Sequence, residues 1–250
     1  MDLGLRNRVA AVAAASKGLG RGSANALARE GCRVVIGARG AEALADAVDE
    51  LAAITGDPAR VHGVSVDVVA EPEALVEAAV ERFGTVEVLV PNAGGPPPAG
   101  ALDVSADDLR AAFEANCVAS IRMAHAAIPH MRDAEWGRIC FITSSFVKQP
   151  APFLALSNTA RTGLVAFAKT LATDVAPFGI TVNVILPGTH DTDRIRGMGS
   201  LDDLAASIPV GRVGSPADFG DAVAFLCSEQ ANFITGTTLL IDGGRYPGLL

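Results

Sequence analysis

Residues 8–20 read RVAAVAAASKGLG. The apolar run 8–15 is too short for an ordinary helix and suits a strand buried on both faces. The turn Ser16-Lys17-Gly18-Leu19-Gly20 then leads into a helix that reaches about Glu30. A glycine-rich turn at a helix start aims backbone N–H groups and the positive end of the helix dipole at one spot, which suits a phosphate. Glycines at this spacing also serve close packing of a helix on a strand, so the surrounding pattern decides their meaning.

That pattern repeats along the chain. CRVVIGAR (32–39) is a second apolar run, and AEALADAVDELAAITG behind it carries Ala43, Leu44, Ala47, Val48 and Leu51 at helical spacing. VHGVSVDV (61–68) is a third strand. EPEALVEAAVERFG follows, with Pro72 near its first helical position and Gly84 just past its last, where helix ends prefer them. VEVLVPNAG (86–94) is a strand and loop, and a long helix spans roughly 105–130. WGRICFITSS (136–145) precedes the helix that begins in LALSNTARTGLVAFAK (154–169). GITVNVILPG (179–188), a helix start at Ser215-Pro216-Ala217-Asp218 and TTLLIDGG (237–244) complete the series. Strand–helix alternation predicts an α/β fold, a doubly wound, mostly parallel sheet with helices on both faces, in a single domain over residues 1–250. The glycine-rich, charged and loosely patterned segment around 188–214 is expected to be a lid.

Bulk properties limit the partners. With 50% hydrophobic and 19% charged residues the chain can bury a sizeable core. A net charge of −8 argues against nucleic acid or an anionic membrane. The four cysteines (Cys32, Cys117, Cys140, Cys227) lack a CxxC pair and read as free thiols of a cytoplasmic protein. No signal peptide opens the sequence, and no apolar stretch is long enough to span a membrane. His62, His125 and His130 show no metal-ligand grouping, and Asp191 and Asp193 read as lid surface.

At the phosphate turn, at Asp67-Val68, at Asn92-Ala93-Gly94, at Asn116, at Ser144 and at Pro187-Gly188, the chain resembles the short-chain dehydrogenase/reductase family. The resemblance runs from about Arg8 to Gly244 and implies a Rossmann-type nucleotide site. Ser16, Lys17, Gly18, Leu19 and Gly20 would form the turn under the pyrophosphate. Asp67, with Val68 beside it, would bond the adenine amine. Asn92, Ala93 and Gly94 would flank the adenosine ribose. Asn116 would hold a water of a proton relay, and Ser144 would orient a substrate carbonyl. Pro187, Gly188 and the backbone of His190 would border the nicotinamide, with Thr192 near its carboxamide. A hydrophobic helix pair including LVAFAKTLA (164–172) resembles the family's subunit interface and implies a homodimer or homotetramer.

Cofactor choice has a signal of its own. A carboxylate at the tip of the second strand would bond a ribose 2′-hydroxyl and repel a 2′-phosphate. Here Ala38 is followed by Arg39, and Lys17 precedes Gly18, which favours NADP(H), with NAD(H) as the alternative.

Two positions depart from the family pattern. Ala14 stands where the turn's first glycine belongs; alanine adds a methyl and penalises positive φ, and at negative φ the turn survives with the pyrophosphate slightly displaced. In the helix at 154–169, counting back from Phe167-Ala168-Lys169 places Ser157 and Arg161 where the family keeps its Tyr and Lys. Ser144 lies thirteen residues before Ser157, the family's interval, so the register is sound. The only tyrosine, Tyr246, lies beyond the last strand. An aliphatic hydroxyl is a far weaker acid than a phenol of pKa about 10, and arginine stays protonated. Loss of a general acid typically costs a factor of about 10² to 10⁴ in rate. Lys148, just past Ser144, and His190 are the candidate substitutes as catalytic acid or base.

Three readings follow. The first is an NADP(H)-linked oxidoreductase of a carbonyl or alcohol substrate with a non-standard proton donor. The uncharged Pro96-Pro97-Pro98 loop suits an apolar substrate of 3-oxoacyl or polyketide-like kind. The second is a redox-inactive nucleotide-binding or scaffold protein, and the third a non-redox lyase or isomerase using a Lys148 or His190 base.

Overall fold

The computed structural model describes residues 2–249. Seven short strands form one all-parallel sheet: β1 (Val9–Ala13), β2 (Arg33–Ala38), β3 (Val61–Ser65), β4 (Val88–Val90), β5 (Gly137–Ile142), β6 (Ile180–Pro187) and β7 (Thr238–Ile241). Their order across the sheet is β3-β2-β1-β4-β5-β6-β7, as expected for a doubly wound α/β domain. The order reverses at β1, which pairs with β2 on one side and β4 on the other. Loops at the carboxyl ends of β1 and β4 therefore diverge and open a crevice there.

Both faces of the sheet are covered. Helices α1 (Gly18–Arg29) and α2 (Ala41–Thr55) lie on one face, where Leu27, Leu44 and Leu51 join a core with Val12, Ile36 and Ile142. Against the other face lie α3 (Glu73–Phe83), α5 (Ala119–Asp133) and α6 (Ala155–Val175). Leu75, Met123, Leu164 and Leu171 pack there with Val35, Phe141 and Val184. A strand with an apolar layer on each side must be apolar throughout, and β1, β5 and nearly all of β6 are buried residue by residue.

Three sequence expectations change in detail. The strand expected over 61–68 pairs only as far as Ser65, because its partner β2 ends at Ala38 opposite it. The helix expected over 105–130 is not continuous. Helix α4 (Ala106–Phe113), opened by a Ser105–Asp108 capping box, widens into a π-helical turn (Glu114–Val118) before α5 resumes. Such widened turns recur at functional sites, and Asn116 lies in this one. The segment 188–214 is also better ordered than a plain loop. It contains two short helices, α7 (Asp193–Arg196) and α8 (Leu201–Ala205). Its stem is closed by a bridge between His190 and Gly214, where Asp191 N–H donates to the Gly214 carbonyl at 2.7 Å.

Helix α9 (Pro216–Leu226) starts where Ser215 was expected to cap it and lies directly on α1. The contact is backbone on backbone, since a β-carbon on Gly220 would overlap the Gly22 carbonyl and one on Gly22 would overlap the Pro216 carbonyl. Gly220→Ala is therefore expected to destabilise the chain by about 1–3 kcal/mol, the range for overpacked cores. An unchanged midpoint in urea unfolding would refute this tight contact.

Candidate active site and nucleotide cleft

The phosphate turn follows from β1 ending at the crevice. Gly18 has φ +57° and opens α1, with Lys17 as the residue before it in extended backbone. A β-carbon on Gly20 would sit 2.5 Å from the Ala14 carbonyl oxygen, so glycine is required for the turn to close on itself. Ala14 has φ +48°, in the left-handed region that alanine disfavours, so the turn keeps its shape by straining this residue. The Thr192 side chain lies above Gly18, 3.3 Å from where a β-carbon would be, and Lys17 pairs with Asp193 at 3.6 Å. The segment 188–214 thus reaches down to the phosphate turn.

At the tip of β2, Arg39 lies 3.7 Å from Asp67. The cation assigned to a 2′-phosphate and the acid assigned to an adenine amine are one ion pair. Both side chains are well exposed, so the pair itself adds at most about 1 kcal/mol. Val68 beside Asp67 is buried, and Asn92, Ala93 and Gly94 follow β4 on the opposite wall of the crevice.

Ser144, Ser157 and Arg161 meet beyond the end of β5. The Ser144 hydroxyl accepts the Phe146 N–H at 3.2 Å, which leaves its own proton available to donate. Ser157 and Arg161 are on the first turns of α6 and are only 7% and 8% exposed. The Arg161 guanidinium donates from Nη1 to the carbonyls of Ile142 (3.2 Å) and Thr143 (2.9 Å), and from Nη2 to that of Ala93 (3.5 Å). Burial and the nearby Arg194 charge push its pKa down to about 10. It stays a cation at neutral pH and uses three of its five N–H donors on main chain. Asn116, 3% exposed, gives a long 3.4 Å bond to the Ala112 carbonyl. Its Oδ1 and the Thr143 hydroxyl are buried without a protein partner. Such atoms call for water or ligand, since leaving them unmet costs about 1–3 kcal/mol.

The two candidate substitutes part company. His190 is 3% exposed and wedged between Gly214 and the Phe219 ring, 5.4 Å away edge-on, with Nδ1 3.3 Å from the Gly188 carbonyl. Burial lowers its pKa, so the ring is a neutral support of the segment's stem, and its side chain does not offer an acid to the site. Lys148 ends the turn that Ser144 caps, and its ammonium lies 5.9 Å from the centroid of the Tyr246 ring. The tail after β7 is folded back: Asp242 accepts the Tyr246 N–H at 2.7 Å and Arg245 donates to the Thr189 hydroxyl at 2.8 Å.

Sequence reasoning missed two residues here. Tyr246 was set aside as lying beyond the last strand, and the fold-back that brings it to Lys148 depends on positive φ at Gly243 and Gly244. Arg194, within DTDRIR, reaches the loop after β4 and donates to the Pro96 carbonyl at 3.2 Å. Its place depends on how α7 folds, which its short, aperiodic sequence does not announce. Asp191 is bound by Arg196 at 2.6 and 2.9 Å, as expected of surface. No group of three or more metal-ligating side chains exists among the described residues, and no helix there is long and apolar enough to cross a membrane.

Comparison with known proteins agrees with the fold. The family model described as enoyl-(acyl carrier protein) reductase matches residues 13–245. The 3-oxoacyl-[acyl-carrier-protein] reductase of Escherichia coli is 34% identical over 250 residues, covering 98% of this chain and 99% of its own. L-sorbose reductase from Gluconobacter frateurii, solved with NADPH and L-sorbose, superposes with a TM-score of 0.93 at 30% identity over the whole of both chains. Actinorhodin polyketide ketoreductase with NADPH gives 0.89 at 32% identity, covering 96% of this chain and 97% of that one.

Two outcomes are expected. Ala14→Gly removes a left-handed strain of about 1–2 kcal/mol and adds about 0.4–1 kcal/mol of unfolded-state freedom, so net stabilisation of about 0.5–1 kcal/mol should appear in urea unfolding. For His190 the folded pKa lies below the unfolded value of 6.5, so the unfolded chain takes the proton more readily. Stability is then lost as pH falls below about 6.5. The thermal midpoint should drop between pH 7.5 and 5.5, and His190→Gln should shrink that drop. Asp218, held low by Arg212, adds its own loss only at more acidic pH.

Proposed function

The chain belongs to the short-chain dehydrogenase/reductase family, and from that premise we propose that it is an NADP(H)-linked oxidoreductase of carbonyl and alcohol substrates working without the family's usual tyrosine. The observation that carries this reading is Arg39, directly after Ala38 at the tip of β2, where an acid would repel a 2′-phosphate. NADPH in the solved relatives supports it. The residues present fit the cofactor: the turn closed by Gly20 on the Ala14 carbonyl admits a pyrophosphate against the start of α1, and Asn116 Oδ1 awaits a partner. Ser16, Lys17, Gly18, Leu19 and Gly20 would hold the phosphates, Arg39 the 2′-phosphate, and Asp67, Val68 and residues 92–94 the adenosine. Pro187, Gly188, the His190 backbone and Thr192 would border the nicotinamide. When bound, the cofactor supplies or accepts the hydride.

The chain's own residues do the rest. Ser144 keeps its proton and hydrogen-bonds the substrate oxygen through its free O–H, which fixes the carbonyl. Ser157 adds a second hydroxyl one turn ahead of Arg161. Arg161 cannot release a proton at neutral pH, so its two remaining N–H groups bind a ribose diol or the oxygen that gains charge. Lys148 is the donor we assign, because this residue ends the turn that Ser144 caps, with its ammonium beside the Tyr246 ring, while His190 is enclosed. Asn116 Oδ1 holds the water that replenishes the proton. The Pro96-Pro97-Pro98 loop, the segment 188–214 as a lid, and the two acyl- or polyketide-reducing relatives favour a 3-oxoacyl or polyketide-like substrate. The homodimer or homotetramer stays part of this reading.

One observation favours a second reading. The three carbonyl bonds of Arg161 would hold α6 on the sheet with no chemistry at all, as in a redox-inactive nucleotide-binding protein.

NADPH titration by calorimetry, followed by a ketone panel monitored for NADPH oxidation, separates the two. The oxidoreductase binds and turns over; Arg39→Glu weakens NADPH about tenfold, roughly 1.4 kcal/mol, and Lys148→Met lowers kcat about 10²-fold. Binding without oxidation above the no-enzyme blank leaves the second reading.

A further inference from the structure

Arg194 of α7 crosses the cleft to the wall formed by the loop after β4. Its Nη2 donates to the Pro96 carbonyl, and its Nη1 occupies space that any β-carbon on Gly95 would take. Arg161 reaches the same loop from the other side, through Nη2 to the Ala93 carbonyl. Two guanidinium groups therefore rest on the four residues 93–96. Neither forms an ion pair with an acid among the described residues. Uncompensated like charges beside a largely buried arginine are costly, and a fork of N–H donors matches a carboxylate in shape. The Ser157 hydroxyl lies one helical turn from Arg161, on the same face of α6.

We propose that Arg161 and Arg194 clamp a carboxylate carried by the carbonyl substrate, so that the preferred substrates are oxo acids. This deepens the oxidoreductase reading and rests on it for the carbonyl. The phosphates have their own place at the start of α1, where Thr192 covers Gly18 and Lys17 meets Asp193. Arg194 instead bonds the loop after β4, which Arg161 reaches as well. The apolar proline loop then receives the body of the substrate, and its acid end sits between the arginines.

The test is calorimetry on the full chain, with and without NADPH, using pyruvate, acetoacetate and levulinate beside their methyl esters. At least one acid should bind tenfold or more tightly than its ester. Arg194→Ala should abolish that preference while leaving NADPH affinity within about twofold, and Arg194→Lys should restore part of it. Arg194 is largely exposed, and a thermal melt of the variant verifies its fold. Equal binding of acids and esters, or binding of neither, overturns the proposal. So does a loss of NADPH affinity in Arg194→Ala with the acid preference intact, which would place this arginine on the cofactor phosphates. If NADPH itself fails to bind, the cofactor reading falls, and the acid preference of the unloaded protein still decides this one.

Discussion

A guanidinium that keeps its proton must find oxygen atoms wherever it is buried. In this protein the oxygens come from the ends of parallel strands, whose last carbonyls have run out of sheet partners. Arg161 takes those of Ile142 and Thr143 at the end of β5 and that of Ala93 after β4. One side chain thereby joins α6, β5 and the β4 loop at the carboxyl ends of these strands. Ser144, Ser157 and the loop that receives Arg194 all take their positions from elements it ties together.

Arginine in this place also divides the chemistry differently. A cation that only binds leaves proton delivery to another group, which in the function we propose is Lys148, on the turn capped by Ser144. Enclosure of His190 between Gly214 and Phe219 makes that imidazole part of the framework instead. Ser157 and Arg161 are both largely buried on the first turns of α6, and Arg161 is engaged with the ends of the neighbouring strands.

The sheet and its helices were legible because each strand is an uninterrupted apolar run and each helix carries 3.6-residue spacing. Glycine and proline mark several of the ends, as at Pro72 and Gly84. The phosphate turn was legible for the same reason: it sits where β1 passes into α1. What stayed hidden depends on long-range geometry. The strain at Ala14 is imposed by closure of the turn on Gly20. The π-turn around Asn116 interrupts a stretch whose periodicity suggests one helix. The approaches of Tyr246 to Lys148 and of Arg194 to Gly95 join residues about a hundred positions apart, and no local pattern encodes them.

Contact between Gly22 and Gly220 has a further consequence for how such a chain can diversify. It locks α9 to α1, so the downstream stem of the segment 188–214 is anchored to the same helix that opens the phosphate turn. The upstream stem is anchored by β6, and the bridge between His190 and Gly214 ties the two stems together. Residues 197–209, beyond the contacts that Thr192, Asp193 and Arg194 make, are framed like an interchangeable cassette: their length and composition can drift without moving the sheet or the phosphate turn. Substrate range can then evolve in that cassette while the nucleotide geometry is inherited unchanged.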